Sequence, residues 1–127
     1  MKIDHIAMYV KDLEAAKYFF MKYFQASPGE RYQNAKTGFE SYFLSFSDNC
    51  RLEIMKKPNL KDLGDTLDHF GYAHVAFSVG SIEKVDSLTN QLKEDGFSVI
   101  SEPRITGDGY YESCILALDG NLIEITV

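Results

Sequence analysis

Four residues in this sequence have the types and spacing to do chemistry together: His5, Glu53, His74 and Glu124. Two imidazoles and two carboxylates suit a borderline-to-hard divalent cation such as Zn, Ni, Co, Fe or Mn. Burying an unpaired carboxylate is costly, so two glutamates pointing into a concave sheet need a cation to neutralise them. Neither Cys50 nor Cys114 belongs to a spaced motif, which sets aside thiolate zinc sites and iron–sulfur clusters. A histidine or glutamate opposite an apolar strand face is usually just solvated, because antiparallel sheets often keep one wet face. What lifts these four above that reading is that they recur in pairs.

The recurrence is an internal repeat. Asp4-His5-Ile6-Ala7-Met8-Tyr9-Val10 aligns with Ala73-His74-Val75-Ala76-Phe77-Ser78-Val79, and Asp12-Leu13-Glu14 continues over Ser81-Ile82-Glu83. Near the end of each half, Asp48-Asn49-Cys50-Arg51-Leu52-Glu53-Ile54 aligns with Asp119-Gly120-Asn121-Leu122-Ile123-Glu124-Ile125. A two-residue insertion between the blocks reconciles them. Two blocks in the same order point to a duplicated module.

Each half must then supply the elements that position its His and Glu. Residues 2–10 alternate as a strand, and Asp12 caps a helix to about Phe24 that Ser27-Pro28-Gly29 breaks. Strands are expected at 30–35, 39–47 and 50–56. In the second half a strand at 72–79 precedes a helix capped by Ser81 and ended at Gly96. Strands at 97–102, 110–118 and 122–127 follow, with Thr106-Gly107-Asp108-Gly109 as a turn. The order is β-α-β-β-β twice. The chain reads as one α+β domain of modules 1–57 and 71–127, joined by a polar linker, 58–70, that holds His69 as a surface residue. Strand parity puts His5 opposite Ile6, Met8 and Val10, and His74 opposite Val75, Phe77 and Val79. Glu53 and Glu124 likewise lie opposite their apolar neighbours.

Composition bounds the remaining options. The chain has 127 residues, 45% hydrophobic and 25% charged, which fits one ordinary globular domain. A formal charge of −6 with no basic cluster makes nucleic acid an unsuitable partner. No apolar run has the length of a membrane helix, and the N-terminus does not read as a signal peptide. A reducing cytoplasm with two free thiols is the expectation.

With the residues in place, the sequence resembles the vicinal oxygen chelate superfamily, in its glyoxalase/bleomycin-resistance/dioxygenase group. The resemblance rests on His5 in IDHIAMYVKDLE, Glu53 in RLEIM, His74 in GYAHVAFSV and Glu124 in DGNLIEITV. It implies paired βαβββ modules forming an open, curled mixed sheet around a divalent metal, and a homodimer. The set His5, Glu53, His74 and Glu124 is most similar to that of glyoxalase I. It implies a metal-dependent lyase or isomerase that acts on a hemithioacetal or similar small molecule through a metal-stabilised enediolate. Glu124 would be the general base, Glu53 its counterpart across the metal, and both histidines plain ligands.

Some positions depart from glyoxalase I. Tyr9 stands near where that enzyme commonly has an arginine for glutathione, and Lys56-Lys57-Pro58-Asn59 does not reproduce its glutathione-side motif. Arg51 and Arg104 are candidates for a substrate carboxylate. Tyr110 and Tyr111 are further substrate-binding candidates, in a segment similar to many glyoxalase-like proteins. Tyr32, Phe39, Tyr42, Tyr110 and Tyr111 would suit a flat ligand or, equally, a core. The alternatives on this scaffold are a metal-free, bleomycin-resistance-like binding protein or another metalloenzyme: an epimerase, thiol transferase or dioxygenase.

Overall fold

The computed structural model describes residues 3–61 and 71–127. The chain divides into two compact units, Met1–Asp62 and Leu63–Val127. The remainder of the expected linker, 62–70 with His69, lies outside the described residues.

The first unit runs β1 (Ile6–Tyr9), α1 (Leu13–Phe24), β2 (Ser27–Pro28), β3 (Tyr32–Asn34), β4 (Phe39–Ser45) and β5 (Arg51–Lys56). Its sheet has the order β1-β5-β4-β2, with β3 also paired to β4. β1 and β5 are parallel and the other pairs antiparallel. The second unit runs β6 (His74–Ser78), α2 (Ile82–Glu94), β7 (Ser98–Ile105), β8 (Tyr111–Leu116), a 3₁₀ turn at Leu118–Gly120, and β9 (Leu122–Thr126). Its order is β6-β9-β8-β7, again with the first and last strands parallel. Among the described residues this is an α+β fold of two helices and nine strands in two open mixed sheets, one per module.

Both helices start where the sequence places them. The Asp12 carboxylate accepts from the Ala15 backbone N–H at 3.0 Å, and the Ser81 hydroxyl from that of Lys84 at 3.3 Å. Leu13, Ala16, Phe19, Phe20 and Phe24 form the buried stripe of α1, and Val85, Thr89 and Leu92 that of α2. The matching sheet positions are also buried: Tyr42, Leu44, Leu52 and Ile54 in the first unit, and Ser113, Ile115, Ile123 and Ile125 in the second. Each large aliphatic side chain sealed in this layer contributes about 1.5–3 kcal/mol. Among the described residues no helix is long and apolar enough to cross a membrane.

Several boundaries differ from expectation. β1 starts only at Ile6, leaving His5 just ahead of it. Ser27–Pro28, expected only as a break, pairs with Leu44 and Ser45 as the short β2. β7 continues through Pro103 to Ile105 instead of stopping at 102. It can do so because it is an edge strand, where a missing N–H breaks no interior ladder, and its pairing to β8 shifts register on both sides of Ser101.

Candidate functional site

Register brings each histidine beside its own module's glutamate. Ala7 of β1 lies opposite Glu53 of β5, and Ala76 of β6 lies opposite Glu124 of β9. His5 and His74 come two residues before those alanines and so share the glutamates' face. Leu52, Ile54, Ile123 and Ile125 take the other side, in the buried layer. His5 Nε2 stands 3.7 Å from Glu53 Oε2, and His74 Nε2 stands 3.0 Å from Glu124 Oε2. The glutamate side chains keep only 15% and 20% of their surface exposed, so both carboxylates are sheltered without being sealed.

Both pairs fit a divalent cation by donor type, and the second fits by separation as well. An imidazole nitrogen and a carboxylate oxygen, each about 2.1 Å from one ion at octahedral-to-tetrahedral angles, stand about 2.9–3.4 Å apart. The His74–Glu124 separation of 3.0 Å falls within that range, and the His5–Glu53 separation of 3.7 Å lies a few tenths of an ångström above it. Each pair supplies two donors. Among the described residues no group of three or more His, Cys, Asp or Glu stands close enough to hold an ion.

The surroundings of the two pairs differ. In the first module the His5 ring meets Phe43 edge-on at 5.1 Å between centroids, and the Arg51 guanidinium lies 4.8 Å over the same ring. His5 Nδ1 is 2.9 Å from Asp4 Oδ2, and Arg51 donates to that same oxygen. The hydrogen bond from His5, and then the charge of Arg51, hold the Asp4 carboxyl below the usual range. In the second module Cys114 faces Glu124 across the ladder, where the first module has Phe43 facing Glu53. Burial pushes Glu124 above the ordinary glutamate range; His74 and Arg104 oppose that shift, while Glu112 and Asp108 add to it. Both cysteines are free thiols, Cys50 exposed and Cys114 partly buried.

The substrate-binding candidates separate. Arg104 stands opposite Glu112, donates to the Ser101 hydroxyl, and its charge is felt at Glu124 and Cys114. Arg51 belongs to the Asp4 network. Tyr110 is exposed at the turn, where its backbone N–H donates to the Thr106 hydroxyl at 3.0 Å. Tyr111 instead donates its hydroxyl to Asp86 of α2 at 2.7 Å, on the side of β8 opposite Cys114 and Glu124. Tyr42 likewise belongs to the helix side, donating to Glu14 of α1 at 2.7 Å. Tyr32 is exposed and packs against Phe39. Sequence reasoning missed Asp4 and Phe43. Asp4 had a visible signal, a carboxylate adjacent to His5 with only Ala73 at the repeat position. Phe43 had none, because its place depends on cross-strand register.

The sequence model of the Glyoxalase/Bleomycin resistance protein/Dioxygenase superfamily matches residues 2–125. No curated protein matches the chain. Among solved structures, a possible glyoxalase from Bacillus cereus is similar with a TM-score of 0.74 and 28% identity, over 100% of this chain and 99% of that one. The genomically encoded fosfomycin resistance protein FosX from Listeria monocytogenes, complexed with Mn(II) and sulfate, has a TM-score of 0.72 and 24% identity over 99% and 91%. A mutant glyoxalase I from Zea mays has a TM-score of 0.79 and 19% identity, over 98% of this chain and 44% of that one. At those identities the last two likenesses are of fold.

Proposed function

The chain belongs to the Glyoxalase/Bleomycin resistance protein/Dioxygenase superfamily, and on that premise we propose that it is a metal-dependent lyase or isomerase of the glyoxalase I type. The ligands in this reading are His5, Glu53, His74 and Glu124. The observation that carries it is the facing of His Nε2 and Glu Oε2 at repeat-equivalent positions in both modules, at 3.7 and 3.0 Å. A pairing of nitrogen and oxygen donors repeated on the helix-free face of both sheets is poorly explained by solvation alone.

A bound divalent cation would polarise two vicinal oxygens of a hemithioacetal. The Glu124 carboxylate would take the C–H proton from one carbon and return it to its neighbour while the hydroxyl proton passes from one vicinal oxygen to the other, so the reaction is an isomerisation with no net redox change. Burial is the largest influence raising the Glu124 carboxyl above its ordinary range. Glu53 remains the counterpart ligand, and the histidines hold without transferring protons. Arg104, whose charge reaches Glu124, is the better placed of the two arginines to meet an anionic substrate group. The working unit in this reading is a homodimer, as the family resemblance implies, and its compartment a reducing cytoplasm.

Elemental mass spectrometry on untagged protein, with His74→Ala as control, tests the reading. Near one Ni, Zn, Co, Fe or Mn per chain, lost in the variant, is the expected result and leads to assays of methylglyoxal hemithioacetals with several thiols. No metal after incubation with excess divalent ions would overturn the reading and favour a ligand-sequestering protein.

A further inference from the structure

We propose that Asp4 and Arg51 form a positioning pair that fixes the tautomer and orientation of His5, and that His74 works without such a pair. The inference rests on the metal-binding reading above only for its consequence, not for its geometry. Asp4 Oδ2 lies 2.9 Å from His5 Nδ1 and also accepts from Arg51. A carboxylate bound to a guanidinium is ionised and can only accept, so the proton of that contact sits on His5 Nδ1. In the neutral tautomer protonated at Nδ1, the Nε2 lone pair faces Glu53 Oε2, 3.7 Å away. Two acceptors facing each other with no proton between them suit a cation, and a carboxylate behind a ligand histidine raises its basicity and holds its ring. Phe43 completes the arrangement by meeting the His5 ring at its edge and carrying Arg51 on its face.

Among the described residues the device exists in one module only. The repeat aligns Asp4 with Ala73 and Arg51 with Leu122, so neither partner recurs behind His74. His5 is therefore a preorganised ligand, whereas His74 is set by its neighbours around Glu124. Removing a partner of this kind typically costs about 10–100-fold in metal affinity. Asp4 keeps 61% of its side-chain surface exposed, so the expected loss is the low end, about tenfold.

The test is nitrogen NMR of the imidazoles in the full-length, metal-free, ¹⁵N-labelled protein, followed from about pH 6 to pH 9 so that each neutral tautomer is read directly. The expected wild-type result is His5 protonated at Nδ1. Asp4→Ala should move the proton to Nε2 and leave the His74 signals unchanged, and Asp4→Asn, whose amide oxygen still accepts, should restore Nδ1–H. Titration with Co(II) should give a dissociation constant about tenfold higher for Asp4→Ala, with Asp4→Asn in between. An unchanged His5 tautomer in Asp4→Ala, or a wild-type His5 already protonated at Nε2, would overturn the proposal. A tautomer shift in a protein that takes up no Co(II) upholds the positioning pair and defeats the metal reading. Equal Co(II) affinity with an unchanged tautomer does the reverse.

Discussion

His74 and Glu124 stand 3.0 Å apart, Nε2 to Oε2, whereas His5 and Glu53, their repeat equivalents, stand 3.7 Å apart. The tighter pair contains the carboxylate whose proton affinity burial raises, and the looser pair contains the histidine backed by Asp4. Duplication has thus kept the donors and let their surroundings diverge.

The proposed reading gives the proton-transfer role to Glu124. Glu124→Gln should lower kcat for hemithioacetal isomerisation by about 10²–10⁴-fold, the range for losing a general base. The far-ultraviolet circular dichroism spectrum should be unchanged, since the side chain contributes nothing to the buried layer. Steady-state rates beside a thermal melt make the check, and a variant within about tenfold of wild type would remove Glu124 from that role.

The acid side of the stability curve should depend on Glu14. Its carboxyl is held below the ordinary range by the Lys17 ammonium first and the Tyr42 hydroxyl second. A lowered folded-state value means the folded protein binds fewer protons there than the unfolded chain. The contribution is therefore present above the ordinary glutamate value and is lost as pH falls toward the folded one. Urea midpoints across pH should show Glu14→Gln below wild type at neutral pH and converging with it in acid.

Helix α1 ends on a residue poorly suited to its backbone. Gln25 has φ 54°, in the left-handed region, whereas Gly96 (φ 94°) holds the corresponding turn after α2. A side chain with a Cβ is strained there and glycine is not, although glycine gives up more entropy on folding. Gln25→Gly should stabilise the protein by about 0.5–1 kcal/mol in chemical denaturation, and a loss of stability would contradict the cap assignment.

Under α2, Thr89 and Ser113 are both fully buried and their hydroxyl oxygens lie 2.6 Å apart. The Thr89 hydroxyl donates to the Val85 carbonyl at 2.6 Å, so Ser113 must be the donor between them. Thr89→Val strands the Ser113 proton and should cost about 1–3 kcal/mol. Ser113→Ala leaves Thr89 its own acceptor and should cost less. The double variant should cost less than the sum of the two, which a double-mutant cycle would measure.

Much of the scaffold was legible without coordinates because the signals are local. The Asp12 and Ser81 caps and the helices they open appear in the structure within a few residues of where the sequence puts them. Pro103 reads as a strand end, yet β7 runs through it, because only the strand order reveals that β7 is an edge. Tyr111 reads as a site aromatic, yet its hydroxyl goes to Asp86 on the helix. Of two adjacent tyrosines, the alternation can give only one to each face, and which one depends on the phase of β8.

By itself the sequence determined the two modules, the family, and the face on which each histidine and glutamate sits. Alternation along a strand and periodicity along a helix are properties of neighbouring residues, so a single chain read in order contains them. Only the tertiary structure decided that Ala7 lies beside Glu53, that Phe43 meets His5, and that Arg51 reaches Asp4 across most of the first module. Those contacts join residues far apart in the chain. They are fixed by strand register and side-chain packing, which depend on the whole folded unit and leave no periodic trace in the order of its residues.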